Sequence, residues 1–475
     1  MKPPARLAII AVLGSLASCA QDKIQFAPNP ATPRRLAPQE AGQSKQIDVF
    51  FDGTSNNWEA RTNVRRRFEL QAQAEDPQYP CVYIEGVGVN TVSGKAFGVG
   101  MKKRVLEGYC FLARHWSKGP KDRIHIFGFS RGAFQARMLA GLLAHCGLPD
   151  ATGRGTSDQA LRELSEKVWD YSVDHLADPP ERSPGEKIPL DVWTRTLEAN
   201  QRSIRQQPFS QGWTFNNPAI QLLGIWDTVP GLPFTKLLDD GGIFAAGKQV
   251  YKVRPYPNTK VIIHALSLDE KRSQFHPIIV GPPIDPSNKV YEVWFPGAHS
   301  DIGGGYSDSN DMAGTTLNWM QQVMRSEGLT TQNHNFYGDA HGILHHPEED
   351  RIGSIGSHPQ ARTLPSGSLV DFSVFKRANG EFHPEQGRAH GVVYTPTLHV
   401  TQPDGTTKSL AIQGRTHYEP AEARKLLQSV GLDLYSAAGN LDKRPQGAPL
   451  NLRQMAVEVK PVAPPAQPKP AGSAP

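Results

Sequence analysis

The sequence has few cysteines, no long apolar run beyond its first residues, and no strong excess of charge of either sign. Four cysteines among 475 residues are too few for a disulfide-dense scaffold. Hydrophobic residues make up 38% and charged residues 20%, which excludes a disordered chain and a membrane protein with many spans. The sequence contains 51 Lys and Arg and 46 Asp and Glu, and it has no basic block. We therefore expect no nucleic-acid partner. The classes of protein that the composition leaves open are compact enzymes and compact binding domains.

The first residues have the composition of an export signal. Lys2 and Arg6 accompany the apolar run Leu7–Leu16, which is too short to span a bilayer and suits a signal-peptide core. The sequence Leu-Ala-Ser-Cys that ends at Cys19 resembles the lipobox of bacterial lipoproteins, in which the cysteine is acylated. We therefore predict a signal peptide over residues 1–18, a lipid anchor on Cys19 and a place in the bacterial cell envelope, at the outer membrane or periplasmic face. The alternatives are an ordinary secretory signal or a buried helix.

The remaining cysteines are Cys81, Cys110 and Cys146. An odd number in an oxidising compartment implies at least one thiol without a bridge and at most one disulfide. The sequence does not select a pair.

Composition divides the chain into segments. The ends are rich in proline and lack periodicity, as expected of a tether and a tail that cannot pack a core. The predicted segments after the signal peptide are a lipidated cysteine with a flexible tether (19–45), a catalytic domain (46–330) with an insertion (about 152–218), an accessory C-terminal lobe (331–440) and a disordered proline-rich tail (441–475).

Short apolar runs separated by helical patterns predict an α/β fold with a mostly parallel sheet. Several runs are apolar on both faces, as in strands covered by helices on both sides. A helix is expected around Asp158–Leu176, within the insertion. The best strand candidates are Ile47–Phe51, Arg123–Phe127, Ile220–Trp226, Val261–Leu266 and Val290–Phe295.

Ser130 lies in the strongest local motif, Gly-Phe-Ser-Arg-Gly, between an apolar strand and a helical pattern. Gly128 and Gly132 give the room that a nucleophile elbow needs, because helix and strand approach closely there. Serine becomes a nucleophile only when an oriented base takes its proton.

Two later strands end in the groups that such a serine requires. Asp227 follows one apolar strand, and His299 follows the next but one, in a glycine-rich loop. The carboxyl ends of parallel strands meet at one edge of the sheet, so we expect Ser130, His299 and Asp227 to form a catalytic triad. Asp301 is the rival acid, unless it only holds the loop through backbone N–H groups. There are simpler alternatives for the other two residues: Asp227 could only cap the turn that follows it, and His299 could be an ordinary histidine of the loop.

A developing oxyanion needs hydrogen-bond donors. We expect one from the backbone N–H of Arg131 and a second from the loop after the first strand, at Gly53 or Thr54. The alternative for this loop is an ordinary Asp-Gly turn.

Six motifs in order resemble the catalytic domain of the type VI secretion phospholipase effectors, over Gln46 to about Leu329. The motifs are VFFDGTSNN, YIEGVGV, IFGFSRGAFQAR, LGIWDTVPG, ALSLDEKRSQFHP and WFPGAHSDIGGGY. The resemblance implies an α/β-hydrolase fold, hydrolysis of phospholipid esters and a triad that its motifs place at Ser130, Asp227 and His299. Secreted effectors normally lack a lipobox, so an anchored esterase acting on envelope lipids or other acyl esters suits both features.

A histidine cluster with nearby carboxylates offers a different chemistry. Its members are His334, His341, His345, His346, His358, Asp339, Glu348, Glu349 and Asp350. We therefore keep three hypotheses: a serine ester hydrolase acting on lipid acyl esters, a metal-dependent hydrolase built on residues 334–358, and a non-catalytic lipoprotein that binds lipid or a partner. The first is favoured by the order of the triad residues, and it requires no cofactor and no metal.

Overall fold

The computed structural model describes residues 34–35 and 45–435, the latter with gaps at 55, 57–58, 73–78, 87–93, 118–121, 154, 182–186, 231–251, 330–333, 350–358 and 416. The predicted signal peptide, Cys19 and the proline-rich tail lie outside the described residues.

The described strands are short except at the centre of the sheet. In chain order they are β1 (Arg34–Arg35), β2 (Gln46–Phe51), β3 (Cys81–Ile84), β4 (Arg123–Phe129), β5 (Leu148–Pro149), β6 (Phe215–Asn216), β7 (Ile220–Trp226), β8 (Thr259–Ser267), β9 (Lys289–Phe295), β10 (Thr363–Pro365), β11 (Leu369–Asp371), β12 (Phe382–His383), β13 (Val392–Val393), β14 (Thr397–Thr401), β15 (Thr407–Ala411) and β16 (Asp433–Tyr435). The five strands predicted from the sequence are confirmed as β2, β4, β7, β8 and β9.

The helices occur between these strands. They are α1 (Asn63–Ala72), α2 (Gly94–His115), α3 (Arg131–Cys146), α4 (Asp158–His175), α5 (Leu190–Arg205), α6 (His299–Gly303), α7 (Asp311–Ser326), α8 (Ser373–Arg377) and α9 (Pro420–Ser429). The helix predicted in the insertion is confirmed as α4, which begins after the N-cap Ser157. No helix in the described ranges is long and apolar enough to cross a membrane.

A nine-stranded sheet forms the centre, in the order β1-β3-β2-β4-β7-β8-β9-β11-β16. Every neighbouring pair is parallel except β1 with β3. Side chains alternate between the two faces, so Val49 and Ile126 pack with α2, α3 and α4, whereas Phe50 and Phe127 pack with α1 and α7. The protein therefore has an α/β-hydrolase fold, as predicted, with its core on both faces of the sheet.

The segment predicted as an accessory lobe shares the central sheet with the predicted catalytic domain. The described residues up to Tyr435 form one compact unit, and β11 and β16 extend the same sheet beyond β9. Trp294 of β9 packs among Leu364, Val370 and Leu434, all from the segment predicted as an accessory lobe. This packing has a simple physical cause, since β11 pairs with the edge of β9 and the later segment covers its apolar neighbours.

The structure also bears on the predicted tether and on the pairing of the cysteines. Within the predicted tether, Arg34 and Arg35 pair with β3, so this part of the tether contacts the edge of the sheet. No disulfide joins Cys81, Cys110 and Cys146, all of which are described.

Candidate active site

Ser130 lies between β4 and α3, in a turn that the surrounding backbone enforces. Its φ of 59° is in the left-handed region, which is costly for a residue with a side chain and is found mainly at functional sites. A Cβ on Gly128 would lie 2.5 Å from the carbonyl oxygen of Gly132, and a Cβ on Gly132 would lie 2.2 Å from that of Phe51. The strand, sharp turn and helix predicted around Ser130 are therefore observed.

Asp227 and His299 are brought together from the ends of two strands. Asp227 follows β7, and His299 begins α6 shortly after β9. Asp227 Oδ2 and His299 Nδ1 are 2.6 Å apart, and both side chains are buried. Like Ser130, Asp227 has a positive φ, here 39°, and its N–H donates to the carbonyl of Ala265 at 2.8 Å. The predicted acid and base thus form a hydrogen-bonded pair.

Aromatic rings hold the imidazole of His299 beside the elbow. Its ring stacks on Phe129 with 4.7 Å between centroids, and Phe275 makes a T-shaped contact with it at 4.9 Å between centroids. Because Phe129 immediately precedes Ser130, this stacking places the imidazole next to the serine's strand. His299 Nε2 is buried and has no hydrogen-bond partner among the described residues. The unbonded nitrogen lies on the side opposite Asp227, where a proton donor would have to bind.

The charges of this pair are set by their surroundings. Burial by itself raises the pKa of Asp227, but the positive charge of Arg362 and the hydrogen bond with His299 bring that pKa well below its usual value. Burial is also the largest influence on His299 and lowers its pKa, against the opposing effect of Asp227. At neutral pH the site therefore contains an ionised carboxylate and a neutral imidazole, which is the form that accepts a proton.

Arg362 is a site residue that the sequence did not reveal. Its Nη1 donates to Asp227 Oδ1 at 2.6 Å and its Nη2 to Asp227 Oδ2 at 2.9 Å. The two residues are 135 positions apart, and no motif surrounds Arg362. Only the folded chain shows that they meet.

Asp301 does not act as the acid partner of His299. Its carboxylate accepts from the backbone N–H of Ala298 at 2.9 Å and pairs with His345 Nδ1 at 2.6 Å. The hypothesis of Asp301 as the rival acid is wrong, because the carboxylate hydrogen-bonded to His299 Nδ1 is that of Asp227. Asp301 instead holds the loop at the start of α6, the other interpretation of this residue.

The predicted oxyanion loop lies against the elbow. A Cβ on Gly53 would lie 3.1 Å from the Cβ of Ser130. The N–H of Gly53 donates to Asp52 Oδ1 at 2.7 Å, so this donor is already engaged and the prediction of Gly53 as an oxyanion donor is not supported. Thr54 Oγ1 is buried without a hydrogen bond to any described residue. Arg131 is the first residue of α3, the position at which helix N–H groups face anions.

Asp52 anchors this loop, a role that the sequence did not indicate. Its Oδ2 accepts from Thr62 Oγ1 at 2.6 Å and from the Tyr83 hydroxyl at 2.5 Å. Burial, opposed by these hydrogen bonds, raises the pKa of Asp52 to about 6. On the other side of the loop, a Cβ on Gly86 would lie 1.7 Å from the Gly53 carbonyl oxygen, so no larger residue fits there. The loop is therefore fixed from both sides.

The histidine cluster is distributed over several ion pairs. His345 lies between Asp301 and Asp308, and His346 lies between Glu348 and Glu385. Within the ranges that the structure covers, no group of three or more His, Cys, Asp or Glu side chains is arranged to hold a metal ion. Two members of the predicted cluster, at positions 350 and 358, lie outside those ranges.

Comparison with curated proteins finds a match over part of the chain. An uncharacterized protein of Saccharomyces cerevisiae is 29% identical over 157 residues, which cover 29% of this chain and 22% of the yeast protein. This chain therefore spans about a fifth of the length of that relative.

Solved structures show distant similarity. An uncharacterized protein from Pseudomonas aeruginosa is 17% identical with a TM-score of 0.32, over 60% of this chain and 46% of that one. The Tle1 effector bound to the VgrG spike is 17% identical with a TM-score of 0.25, over 61% of each chain. A propionate-bound esterase from Thermogutta terrifontis is 12% identical with a TM-score of 0.31, over 66% of this chain and 100% of that one.

A family model matches residues 45–323, which is more than half of the chain and contains Ser130, Asp227 and His299. The family is described as the catalytic domain of Tle1-like phospholipase effectors of the type VI secretion system. The chain belongs to this family, as the resemblance of its motifs predicted.

Proposed function

We propose that the protein is a serine ester hydrolase that cleaves lipid acyl esters in the manner of a phospholipase or lipase. The observation that carries this proposal is the buried Asp227–His299 pair, stacked against the residue that precedes Ser130 at its strained turn. Family membership supports lipid esters as the substrate class.

The proposed reaction begins with attack of Ser130 Oγ on the ester carbonyl carbon. The serine proton passes to His299 Nε2, while Asp227 holds the Nδ1–H and stabilises the imidazolium. The N–H of Arg131, with donors from Thr54, would stabilise the oxyanion of the tetrahedral intermediate. When that intermediate collapses, the leaving alcohol takes the proton from His299 and the acyl group remains on Ser130. Water, deprotonated by His299, then releases the fatty acid and restores the serine.

Replacement of the nucleophile tests this proposal. We expect Ser130→Ala to reduce fatty-acid release from mixed phospholipid vesicles by at least ~10³-fold, because the acyl-enzyme cannot form. The chain lacking its first 19 residues is the appropriate protein, and circular dichroism should show an unchanged fold. The surface variant Ser287→Ala, whose exposed hydroxyl donates to Asp285 Oδ1 at 2.8 Å, is the matched control and should keep full activity.

Other outcomes point to the alternative hypotheses. Turnover retained in Ser130→Ala but abolished by a chelator would indicate the metal-dependent hydrolase. Absence of turnover in both proteins, with a lipid bound to each, would indicate a non-catalytic binding protein.

We further propose that acylation of Cys19 anchors the enzyme in the bacterial cell envelope, at the outer membrane or the periplasmic face. The position of this cysteine after a short apolar run supports the proposal. Wild type should incorporate a palmitate analogue in cells and sediment with membranes, and Cys19→Ala should do neither. Membrane association that persists in Cys19→Ala would contradict an anchor at this residue.

A further inference from the structure

We propose that Arg362, from the segment that follows the matched family domain, is a positioning residue that fixes the triad carboxylate and completes the active site. The inference rests on the proposed serine mechanism. The guanidinium binds both oxygens of Asp227, at 2.6 Å and 2.9 Å, in the two-pronged geometry that only arginine provides.

The remaining contacts of Arg362 fix it to the same site. Its Nη1 also donates to the carbonyl of Ser267 at 2.7 Å, and its Nη2 to the carbonyl of Phe275 at 2.5 Å. Ser267 itself donates its N–H to Asp227 Oδ1 at 3.0 Å, and the Phe275 ring makes a T-shaped contact with His299. With a side-chain exposure of 3%, Arg362 has one orientation, and that orientation determines where the carboxylate points.

Charge explains why the carboxylate needs this partner. Asp227 is fully buried, and a lone carboxylate there would take up a proton instead of remaining charged. Arg362 supplies the compensating charge, so Asp227 stays ionised while His299 is still neutral. Protonation of His299 then places a second cation on a carboxylate that is already paired. Two further charged groups face His299: Glu270, which accepts from its backbone N–H at 3.2 Å, raises the pKa of the imidazole, and Arg272 lowers it.

Neighbouring contacts from the same segment hold the loop that contains His299. Tyr394 donates its hydroxyl to Asp269 Oδ2 at 2.8 Å, and Asp269 accepts from the N–H of Gly297 at 2.7 Å. His345 pairs with Asp301, whose carboxylate accepts from the N–H at the start of α6. Tyr394 and His345 thus hold carboxylates beside the catalytic pair, whereas Arg362 binds the carboxylate of the pair itself.

The pH profile of Arg362→Met tests the assignment. We expect kcat to fall by ~10²-fold with KM changed less than threefold, because alignment of the base matters in the transition state. The ascending limb of kcat/KM should move to higher pH by about one unit, because a positive charge next to the pair is lost. Arg362→Lys keeps the charge but cannot bind both oxygens. The ascending limb of its kcat/KM profile should therefore stay at the wild-type pH, while kcat falls by ~10-fold.

Arg377→Met is the matched control. Arg377 is also buried in the same segment, but it donates to the carbonyls of Ala340 and Gly342 and not to the triad. Loss of Arg377 should lower the thermal stability of the protein, but the ascending limb of kcat/KM should stay at the wild-type pH in the enzyme that folds. The assignment would be overturned if the ascending limb of kcat/KM moved by the same amount in both variants. It would also be overturned if Arg362→Met kept the wild-type kcat and the wild-type position of that limb.

Three further outcomes separate failure of folding, of the serine mechanism and of the role of Arg362. If Arg362→Met does not fold, Arg362→Lys decides, since wild-type kcat in that variant contradicts a positioning role. If Ser130→Ala keeps its activity, the serine mechanism fails. If Ser130→Ala is inactive but Arg362→Met behaves as wild type, only the role of Arg362 fails.

Discussion

His299 carries the pH dependence expected of the reaction. Its neutral imidazole is the active base, and burial lowers its pKa below the ordinary value of 6.5. Activity should therefore be complete above the folded-state pKa and be lost as the pH falls through it. We predict that the ascending limb of kcat/KM lies below pH 6.5, measured with a soluble acyl ester between pH 4 and 9. A limb above pH 6.5 in wild type would contradict this assignment of the base.

The residues of the site differ in how far the sequence reveals them. Ser130, Asp227 and His299 each stand at a strand end next to a local motif, and the structure pairs the last two as predicted. Arg362 has no local signature, because its role depends on a contact across 135 positions. Asp52 belongs to a motif, but its bonds to distant side chains could not be inferred from that motif.

At the scale of elements, the elbow requires close packing of α3 against β2. A Cβ on Gly132 would approach the backbone oxygen of Phe51 to 2.2 Å, and backbone cannot move aside as a flexible side chain can. We predict that Gly132→Ala lowers the free energy of unfolding by about 3 kcal/mol and reduces activity, since the turn must shift. Urea denaturation and ester hydrolysis measure the two effects.

Gly153→Ala is the control for this change. Chain neighbours aside, no atom of the described residues lies within 4 Å of the position that its Cβ would occupy, so we expect a change within about 0.5 kcal/mol. Equal stability of the two variants would show that the close contact at Gly132 is unimportant.

The strands that were predicted are those long enough to show an apolar pattern. β7 is apolar over most of its length and was predicted with its observed bounds, Ile220–Trp226. β3, β11 and β16 have only three or four residues, too few to distinguish a strand from a loop. Their pairing comes from neighbours in the sheet rather than from their own sequence.

At the scale of the whole molecule, the later segment belongs to the catalytic unit. It adds β11 and β16 to the sheet, buries Trp294 and supplies Arg362. The sequence shows the family domain clearly, because its motifs lie within residues 45–323. The role of the later segment depends on packing between distant elements, which composition alone does not encode.

Truncation tests this integration. We predict that removal of residues 331–475 gives an inactive protein without a cooperative thermal transition, because the edge of β9 and its apolar neighbours become exposed. Removal of residues 436–475 should shift Tm by less than about 2 °C and leave activity intact, since the compact unit ends at Tyr435. Full activity after the longer deletion would show that the later segment is dispensable.

Covalent trapping at Ser130 tests the serine mechanism most directly. The chain lacking its first 19 residues would be incubated with a fluorophosphonate and its modified peptides mapped by mass spectrometry, while ester hydrolysis is followed in parallel. We predict one adduct per chain, located on Ser130, with loss of hydrolysis in proportion to labelling and no adduct in Ser130→Ala. Hydrolysis that persists after complete modification of Ser130, or an active enzyme that forms no adduct there, would contradict the mechanism.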